Sequence, residues 1–118
     1  DSMFSGCSAL TTAPELPATI LRDSCYNHMF NSCTSLTIAP ELPATILTNV
    51  CYYFMFSNCS SLNYIKMLAT DISASDCLDN WMYGVASSGT FTKAASMTSL
   101  PSGSSGIPSG WTVVDYTE

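Results

Sequence analysis

The six cysteines are the most reactive side chains of this 118-residue chain, and they fall into two series whose members recur at one fixed interval. If successive repeats stack as neighbouring strands, members of one series lie about 4.8 Å apart, a distance at which disulfides are possible. Each series has three members, so pairing within it leaves one cysteine over, and Val85 and Trp111 continue one series as apolar residues. We therefore predict buried, unpaired thiols that pack as small hydrophobic side chains. The series are Cys7, Cys33 and Cys59, and Cys25, Cys51 and Cys77.

A second candidate site combines Cys25, His28 and Cys33, whose side chains are of the kinds that bind zinc or form a cysteine–histidine dyad. The repeats argue against it, because Phe54 and Asn80 take the position of His28 in the next two units. No further residue in the pattern orients the histidine as a base. We predict an ordinary surface histidine, no metal site and no catalytic residues, so the protein is not expected to be an enzyme.

Glu15 and Glu41 occupy the same position in two consecutive units. Neighbouring carboxylates can bind calcium or act as an acid and a base. No cluster of Asp or Asn accompanies them, and Met67 takes the position in the third unit. The pattern indicates a solvated acidic patch, where we expect neither a metal nor a cofactor.

These residues are positioned by an internal repeat, which is most easily seen in the recurrence of Met-Phe at 3–4, 29–30 and 55–56. The first two units are identical at 16 of 26 positions, including an unbroken run of Ala-Pro-Glu-Leu-Pro-Ala-Thr-Ile-Leu. Such identity at a fixed period is typical of an array of stacked structural units. We predict a single repeat domain over residues 1–118, with units 3–28, 29–54 and 55–80, a degenerate unit 81–106 and a capping strand 107–118.

Residues that favour helix ends recur in register with the repeat. Asp23, Asn49 and Ser75 share one position and are good N-caps, because their side-chain oxygens accept hydrogen bonds from free backbone N–H groups. Gly or Asn follows about eight residues later in several units, where a helix can end in the left-handed conformation. Cys25 and Met29 lie four residues apart between these signals, on one helical face. We predict a two-turn helix in each unit.

Short parallel strands are predicted opposite these helices. Cys33, Leu36 and Ile38 match the opening spacing of a leucine-rich repeat. The register is open at this point, because Ala39 and Leu42 can point inward instead of Ile38. The predicted strands are 10–13, 36–39 and 62–65.

The retained apolar positions indicate a continuous core, and the prolines limit the strands. Pro14 and Pro40 cannot donate a ladder hydrogen bond, so each strand is expected to end at or before them. A strand, a loop and a short helix within each unit predict an α/β, right-handed leucine-rich-repeat solenoid with short parallel strands and short helices. The apolar series expected in its core include Leu10, Leu36 and Leu62, and Ile20, Ile46 and Ile72.

The two ends of the chain are predicted to differ. Residues 96–110 are rich in Gly, Ser and Pro, which indicates a loop, and Trp111 is expected to cover the end of the core in a degenerate C-terminal cap. The chain begins inside a unit at Met3. We therefore expect a C-terminal fragment of a longer array, whose uncapped N-terminal coil offers a surface for self-association.

The composition excludes several classes of partner. The net charge is −6, and Arg22, Lys66 and Lys93 are the only Lys and Arg residues, so nucleic acid and anionic membranes are unfavourable partners. No stretch reaches the roughly 18 consecutive apolar residues of a membrane helix, so no membrane span is predicted in this segment. The charge favours a neutral or basic partner.

The unit Met-Phe-x-x-Cys-x-x-Leu-Thr-x-Ala-Pro-Glu-Leu-Pro-Ala-Thr and the ending Gly-Ile-Pro-Ser-Gly-Trp-Thr-Val-Val-Asp at 106–115 resemble the BspA-like leucine-rich-repeat surface proteins of gut bacteria. The resemblance covers essentially the whole chain. It implies a secreted protein or one on the bacterial cell surface, with a right-handed strand and helix solenoid. It also implies adhesion or protein binding and transfers no catalytic residues.

These observations favour non-catalytic recognition of a protein or glycan partner through the strand face. The alternative is a structural spacer or stalk that binds no ligand of its own. Tyr26, Tyr52 and Tyr53 fit stacking on sugars, and packing between neighbouring units explains them equally well. The candidate partner-binding residues are Thr11, Thr37 and Asn63 on the strands, and Glu15 and Glu41 just after them.

Overall fold

The structure is a computed structural model that describes residues 4–98 and 100–116. It has three β-strands, β1 (Tyr64–Met67), β2 (Thr90–Ala94) and β3 (Thr112–Tyr116). All pairing is parallel, and the strands are hydrogen-bonded in the order β1-β2-β3. Each successive pass of the chain therefore adds a strand to the same edge of one sheet.

Single β-bridges extend this pairing toward the N-terminus, from Thr12 to Ile38 and from Ile38 to Tyr64. The same position continues through Thr90 and Thr112 in the sheet. The chain therefore stacks in five passes, which we number as turns one to five. Turn one contains residues 11–21, turn two contains 37–47, and turns three, four and five contain β1, β2 and β3.

The predicted α/β, right-handed leucine-rich-repeat solenoid with a short helix in each unit is wrong. Residues 4–98 and 100–116 contain no helix, and three short strands are their only regular elements. The predicted strands 10–13 and 36–39 are reduced to single bridges. Three parts of the predicted units, Met3, Ser99 and residues 117–118, lie outside the described residues.

The expected helix is replaced by a series of tight bends of the backbone, which are distinct from the numbered turns of the stack. The bends arise because the backbone is left-handed at every fourth residue. Ser24, His28 and Ser32 have φ angles of 60°, 58° and 63°, whereas an α-helix needs φ near −63° at every position. A spacing of four residues, as between Cys25 and Met29, occurs both on a helical face and in this series of tight bends. Apolar periodicity alone therefore did not distinguish the two.

Backbone hydrogen bonds in these segments alternate between two kinds of partner. The Met29 N–H donates to the Tyr26 carbonyl oxygen three residues earlier, at 3.1 Å. The next donor, the Phe30 N–H, instead reaches the Met55 carbonyl oxygen of the neighbouring turn at 2.9 Å. Half of the donors thus hold consecutive turns together, which an α-helix would prevent because its N–H groups bond within the helix.

Aromatic rings repeat the stacking of the backbone inside the molecule. Phe4, Phe30 and Phe56 stack almost parallel, with ring centroids 5.5 Å and 5.6 Å apart. Trp81 is fully buried at the far end of this series, and its indole Nε1–H donates to the Gly106 carbonyl oxygen at 3.0 Å. The core is therefore continuous along the stack.

The structure resolves the register that the sequence leaves open. Ala39 and Leu42 are buried, and Ile38 is 57% exposed. Burial of the leucine series is confirmed for Leu36 and Leu62, while Leu10 is half-buried at the end of the stack.

The isoleucine series does not form part of the core as predicted. Ile20 and Ile46 are 88% and 61% exposed, and Ile72 is partly buried. The side chains at the first two positions therefore face solvent. The backbone of Ile46 is nevertheless paired, through a single bridge with Asp71.

All six cysteines are free thiols in the structure. The predicted burial is wrong for Cys7, which is exposed, and for Cys25, which is half-buried. Burial raises the pKa of the Cys51 thiol to about 11 and that of the Cys59 thiol to about 12. Burial is confirmed for Cys33, Cys51, Cys59 and Cys77.

Trp111 is 7% exposed, so its predicted burial at the end of the core is confirmed. Its indole Nε1–H donates to the Ala86 carbonyl oxygen at 2.8 Å. The ring lies against Gly89, where an added Cβ would come within 2.8 Å of it. Because β3 follows directly and pairs with β2, Trp111 ties the last turn to the one before.

We predict that the thiols differ in reactivity according to their burial. Native protein treated with iodoacetamide near pH 8 is expected to be alkylated first at Cys7, because the buried thiols are shielded and have raised pKa values. Peptide mass spectrometry after brief labelling gives the order of modification. Denatured, unreduced protein is expected to show all six thiols with Ellman's reagent. Recovery of only about two would show that disulfides form within the series.

We also predict that Trp111 stabilises the last turn through both its volume and its hydrogen bond. Trp111→Ala is expected to lower the free energy of unfolding by about 3–5 kcal/mol, the range for removal of a core aromatic ring. Trp111→Phe keeps most of the apolar contact and is expected to cost about 1–3 kcal/mol, because the Ala86 carbonyl loses its donor. Urea unfolding followed by the fluorescence of Trp81 measures both. A loss below about 1 kcal/mol for the alanine variant would contradict a capping role.

Candidate functional site

A surface cleft lies between turns one and two. Its larger part has a volume of about 480 Å³. A smaller part of about 220 Å³ continues it and shares the residues Ala13 and Pro40. We call the two parts together the inter-turn cleft. The larger part is lined by Ala13, Glu15, Leu16, Pro17, Pro40, Glu41 and Pro43, and the smaller part by Thr11, Thr12, Ala13, Thr37, Ile38, Ala39 and Pro40.

The cleft exists because turns one and two are poorly paired on this side of the molecule. Residues 11–21 and 37–47 meet only at the bridge between Thr12 and Ile38. Apart from the weak pairing at this bridge, no backbone hydrogen bond of normal geometry joins these two segments across the described residues. By comparison, turns two and three are joined by three backbone hydrogen bonds. The Ala39 N–H donates to the Tyr64 oxygen (3.0 Å), and the Leu42 N–H donates to the Lys66 oxygen (2.9 Å). The Leu68 N–H donates back to the Leu42 oxygen (3.0 Å).

Proline accounts for this difference between the turns. Pro14 and Pro40 occupy one position of the repeat and have no N–H to donate to a neighbour. In the third unit the position is taken by Lys66, which lies within β1. A regular strand therefore forms at the first turn from which the proline is missing, and the two turns that contain it remain apart on this side.

The walls of the cleft carry backbone groups that are weakly paired or lack partners. Ala13 and Leu16 stand at the repeat positions of Ala39 and Leu42, which both donate to turn three. In the described part of the chain, neither of the first two N–H groups has a hydrogen bond of normal geometry. The Ile38 carbonyl oxygen on the facing wall likewise accepts none, and only the weak bridge between Thr12 and Ile38 holds the walls together there. The cleft thus presents weakly held donors on one wall and a weakly held acceptor on the other.

The two carboxylates of the cleft differ in their surroundings. The Glu41 Oε1 lies 3.5 Å from the Lys66 Nζ, which belongs to turn three. The same Nζ lies 3.9 Å from the centroid of the Tyr116 ring. Glu15 is exposed and forms no ion pair with any described residue. One wall therefore carries an uncompensated negative charge.

The predicted partner-binding residues do not all gather in one place. Thr11, Thr37, Glu15 and Glu41 line the inter-turn cleft, and all four are exposed. Asn63 is exposed but does not line it.

The backbone of Asn63 is occupied in the sheet instead. Its N–H donates to the Thr37 oxygen at 2.9 Å, and its carbonyl oxygen accepts from the Thr90 N–H at 2.9 Å. Asn63 therefore lies where turns two to four are tightly paired, beyond the cleft.

Sequence reasoning missed the apolar lining of the cleft. It includes Pro17, Pro40 and Pro43, with Leu16 beside them. The signal is present in the repeated Ala-Pro-Glu-Leu-Pro run, in which two prolines flank each glutamate. The sequence predicts strand ends at Pro14 and Pro40 and gives no prediction for Pro17 and Pro43.

His28 and Cys33 have separate partners in the structure. The His28 ring stacks on the Phe54 ring with centroids 5.2 Å apart, and its Nδ1 is hydrogen-bonded to the Asn27 side-chain oxygen. The Cys33 thiol donates to the Phe4 carbonyl oxygen at 3.0 Å. Among residues 4–98 and 100–116, no three His, Cys, Asp or Glu side chains are grouped closely enough to hold a metal ion.

We predict that the open pairing beside the cleft is visible in amide hydrogen exchange. The Ala13 and Leu16 amides are expected to exchange at least about tenfold faster than the Ala39 and Leu42 amides, because only the second pair has carbonyl acceptors at normal hydrogen-bond geometry. Exchange followed by NMR compares the four amides within one protein. Equal protection of the two pairs would show that turns one and two are bonded in solution and that the cleft is closed.

No protein-family model, no curated protein and no solved structure matches the chain. The resemblance to BspA-like surface proteins remains a prediction from the repeat motif. No helix within the described residues has the length and apolarity of a membrane span.

Proposed function

We propose that this protein is a non-catalytic recognition module that binds an extended segment of a protein partner in the inter-turn cleft. A secreted or cell-surface location is part of the proposal, and it comes from the resemblance of the repeat motif. The observation that carries the proposal is the weak backbone pairing between the walls of the cleft, which meet at a single bridge.

Unpaired strand-like backbone is the feature by which many proteins bind extended peptides. A peptide that adds to an open edge forms main-chain hydrogen bonds, and side pockets select its alternate side chains. Leu16 offers an N–H group for such pairing, and the weakly bridged Ala13 N–H and Ile38 carbonyl oxygen can exchange their loose contact for one with a peptide. A glycan lacks a matching main chain, so this backbone favours a protein segment.

The size and lining of the cleft also suit a peptide. A volume of about 480 Å³ falls within the usual range of ligand sites, about 300–1,000 Å³. Prolines supply rigid apolar surface, while Thr11 and Thr37 supply hydroxyl groups in the smaller part of the cleft. An extended chain advances about 3.3 Å per residue, so the cleft accommodates a few residues of a partner.

Binding without catalysis fits the ionisable groups of the cleft. Glu15 and Glu41 are the only ones that line it, and both are exposed. A carboxyl group that acts as a general acid near neutral pH usually needs a desolvated setting. No histidine, cysteine or lysine lines the cleft to act as a nucleophile or base.

The spacer alternative is supported by the continuous bonding along the other side of the stack. There the N–H groups donate to the next turn along the stack. The Ser24 N–H donates to the Asn49 oxygen at 2.9 Å, and the Val50 N–H donates to the Ser75 oxygen at 2.9 Å. Together with the stacked rings of Phe4, Phe30 and Phe56, these bonds make a body suited to holding another domain at a distance.

A display experiment tests the proposal. A library of random peptides is selected on the native protein, and the enriched peptides are measured against Ala13→Trp, which fills the cleft, and against Thr34→Trp, an exposed position outside it. We expect Ala13→Trp to weaken binding at least about tenfold, because a few apolar contacts and main-chain hydrogen bonds are worth more than about 1.4 kcal/mol. The Thr34→Trp control is expected to leave binding unchanged.

NMR spectra of the native protein locate the bound peptide independently. Shifts confined to residues 11–17 and 37–43 would support the proposal. Failure to enrich any peptide, or equal binding by Ala13→Trp, would reject it. Binding of arrayed glycans that is lost in Ala13→Trp would also reject the peptide ligand and assign the cleft to sugars.

A further inference from the structure

We infer that the inter-turn cleft selects a basic side chain, preferably arginine, and that Glu15 is the carboxylate that recognises it. The inference rests on the proposed function and names the chemistry of the ligand. It follows from the unequal state of two glutamates that occupy the same position in consecutive repeats. Glu41 has a partner within the protein, and Glu15 has none in the described residues.

Lys66 neutralises Glu41 from the side away from the cleft. Its Nζ lies 3.5 Å from the Glu41 Oε1, and it belongs to turn three, whereas the cleft lies between turns one and two. A ligand in the cleft therefore meets a carboxylate on turn two whose charge is already balanced. The carboxylate on turn one keeps its full charge.

The Lys66 side chain is held in place at more than one point. It is only 21% exposed, and its Nζ lies 3.9 Å from the centroid of the Tyr116 ring of β3. A cation placed over an aromatic face is attracted by the ring. This second contact limits the freedom of the side chain and so reduces the entropy that an exposed ion pair loses when it forms. Lys66 is thus a fixed counter-charge.

The remaining charges of the protein add to the same preference. Lys93 is also engaged, with its Nζ 2.6 Å from the Asp115 Oδ1. Of the three Lys and Arg residues, only Arg22 has no ion pair among the described residues. A net charge of −6 therefore attracts a basic segment from a distance and repels an acidic one.

The apolar lining favours a long basic side chain. Pro17, Pro40 and Pro43 provide surface against which the methylene groups of lysine or arginine can lie while the charged end stays in water. Arginine is preferred because its planar guanidinium donates two parallel hydrogen bonds to one carboxylate. Glu15 stands beside these prolines in the same cleft.

Defined peptides test the inference. The probes are terminally blocked heptapeptides of alternating valine and threonine with a central arginine, lysine, citrulline or glutamate. Citrulline keeps the shape of arginine and lacks its charge. We expect the arginine peptide to bind at least about fivefold more tightly than the citrulline peptide at low salt, as for a hydrogen-bonded ion pair of about 1 kcal/mol or more. Fluorescence anisotropy gives the Kd values, and NMR shifts locate each peptide.

The two glutamates supply matched variants of the protein. Glu15→Gln is expected to remove most of the preference for arginine over citrulline, and Glu41→Gln to reduce it by less than about twofold, because Lys66 already balances that charge. Lys66→Gln is expected to increase the preference by exposing the second carboxylate. All three substitutions lie at exposed or half-buried positions, and circular dichroism verifies that the variants fold.

The outcomes separate this inference from the proposed function. If arginine and citrulline peptides bind equally and both shift residues of the cleft, the preference for a basic side chain is wrong and the peptide-binding function stands. If Glu41→Gln reduces the preference as much as Glu15→Gln, the assignment to Glu15 is wrong. If none of the four peptides shifts the cleft, and the peptide library also yields no ligand for it, the proposed function is rejected together with the inference.

Discussion

The hydrogen bond from one turn of the chain to the next is the interaction on which this structure depends. Donors such as the Phe30 N–H find their acceptors one turn further on, at the Met55 oxygen, and the pattern repeats from Phe56 to the Trp81 oxygen. A buried peptide group without a partner is costly, so the bonds between turns fix the spacing of everything else. The aromatic series of Phe4, Phe30 and Phe56 and the thiols of Cys33 and Cys59 keep that spacing.

Much of this arrangement could be predicted from the sequence because it depends on side chains that recur at one period. The burial of Leu36 and Leu62, of four cysteines and of Trp111 follows from apolar positions that recur between the units. A side chain that must meet its own copy in the next unit leaves the same residue type at the same place. The buried positions of a repeat protein can therefore be predicted from its sequence alone.

The path of the backbone could not be predicted in the same way. Asp23 and Asn49 have the side chains of helix caps, and in the structure the Asp23 Oδ1 instead accepts a hydrogen bond from the Asn49 N–H of the next turn, at 3.2 Å. Left-handed φ angles at Val50 and Phe54, 60° and 54°, are unusual for such side chains and are dictated by contacts between turns. Ile20 illustrates the same limit, because its exposure depends on a corner of the chain that hydropathy does not encode.

The candidate site arises where the repeats stop being identical. Replacement of the proline at the position of Pro14 and Pro40 by Lys66 has two consequences at one residue. Turn three, which lacks the proline, contains a regular strand, β1, and pairs with its neighbours, whereas turn one stays apart from turn two on this side. The new ammonium group also reaches back to Glu41 and balances it, which leaves Glu15 as the charged wall of the cleft. One substitution between units thus limits the cleft to the first two turns and makes its two chemically similar walls different. The proposed function therefore depends on the departures from the repeat as much as on the repeat.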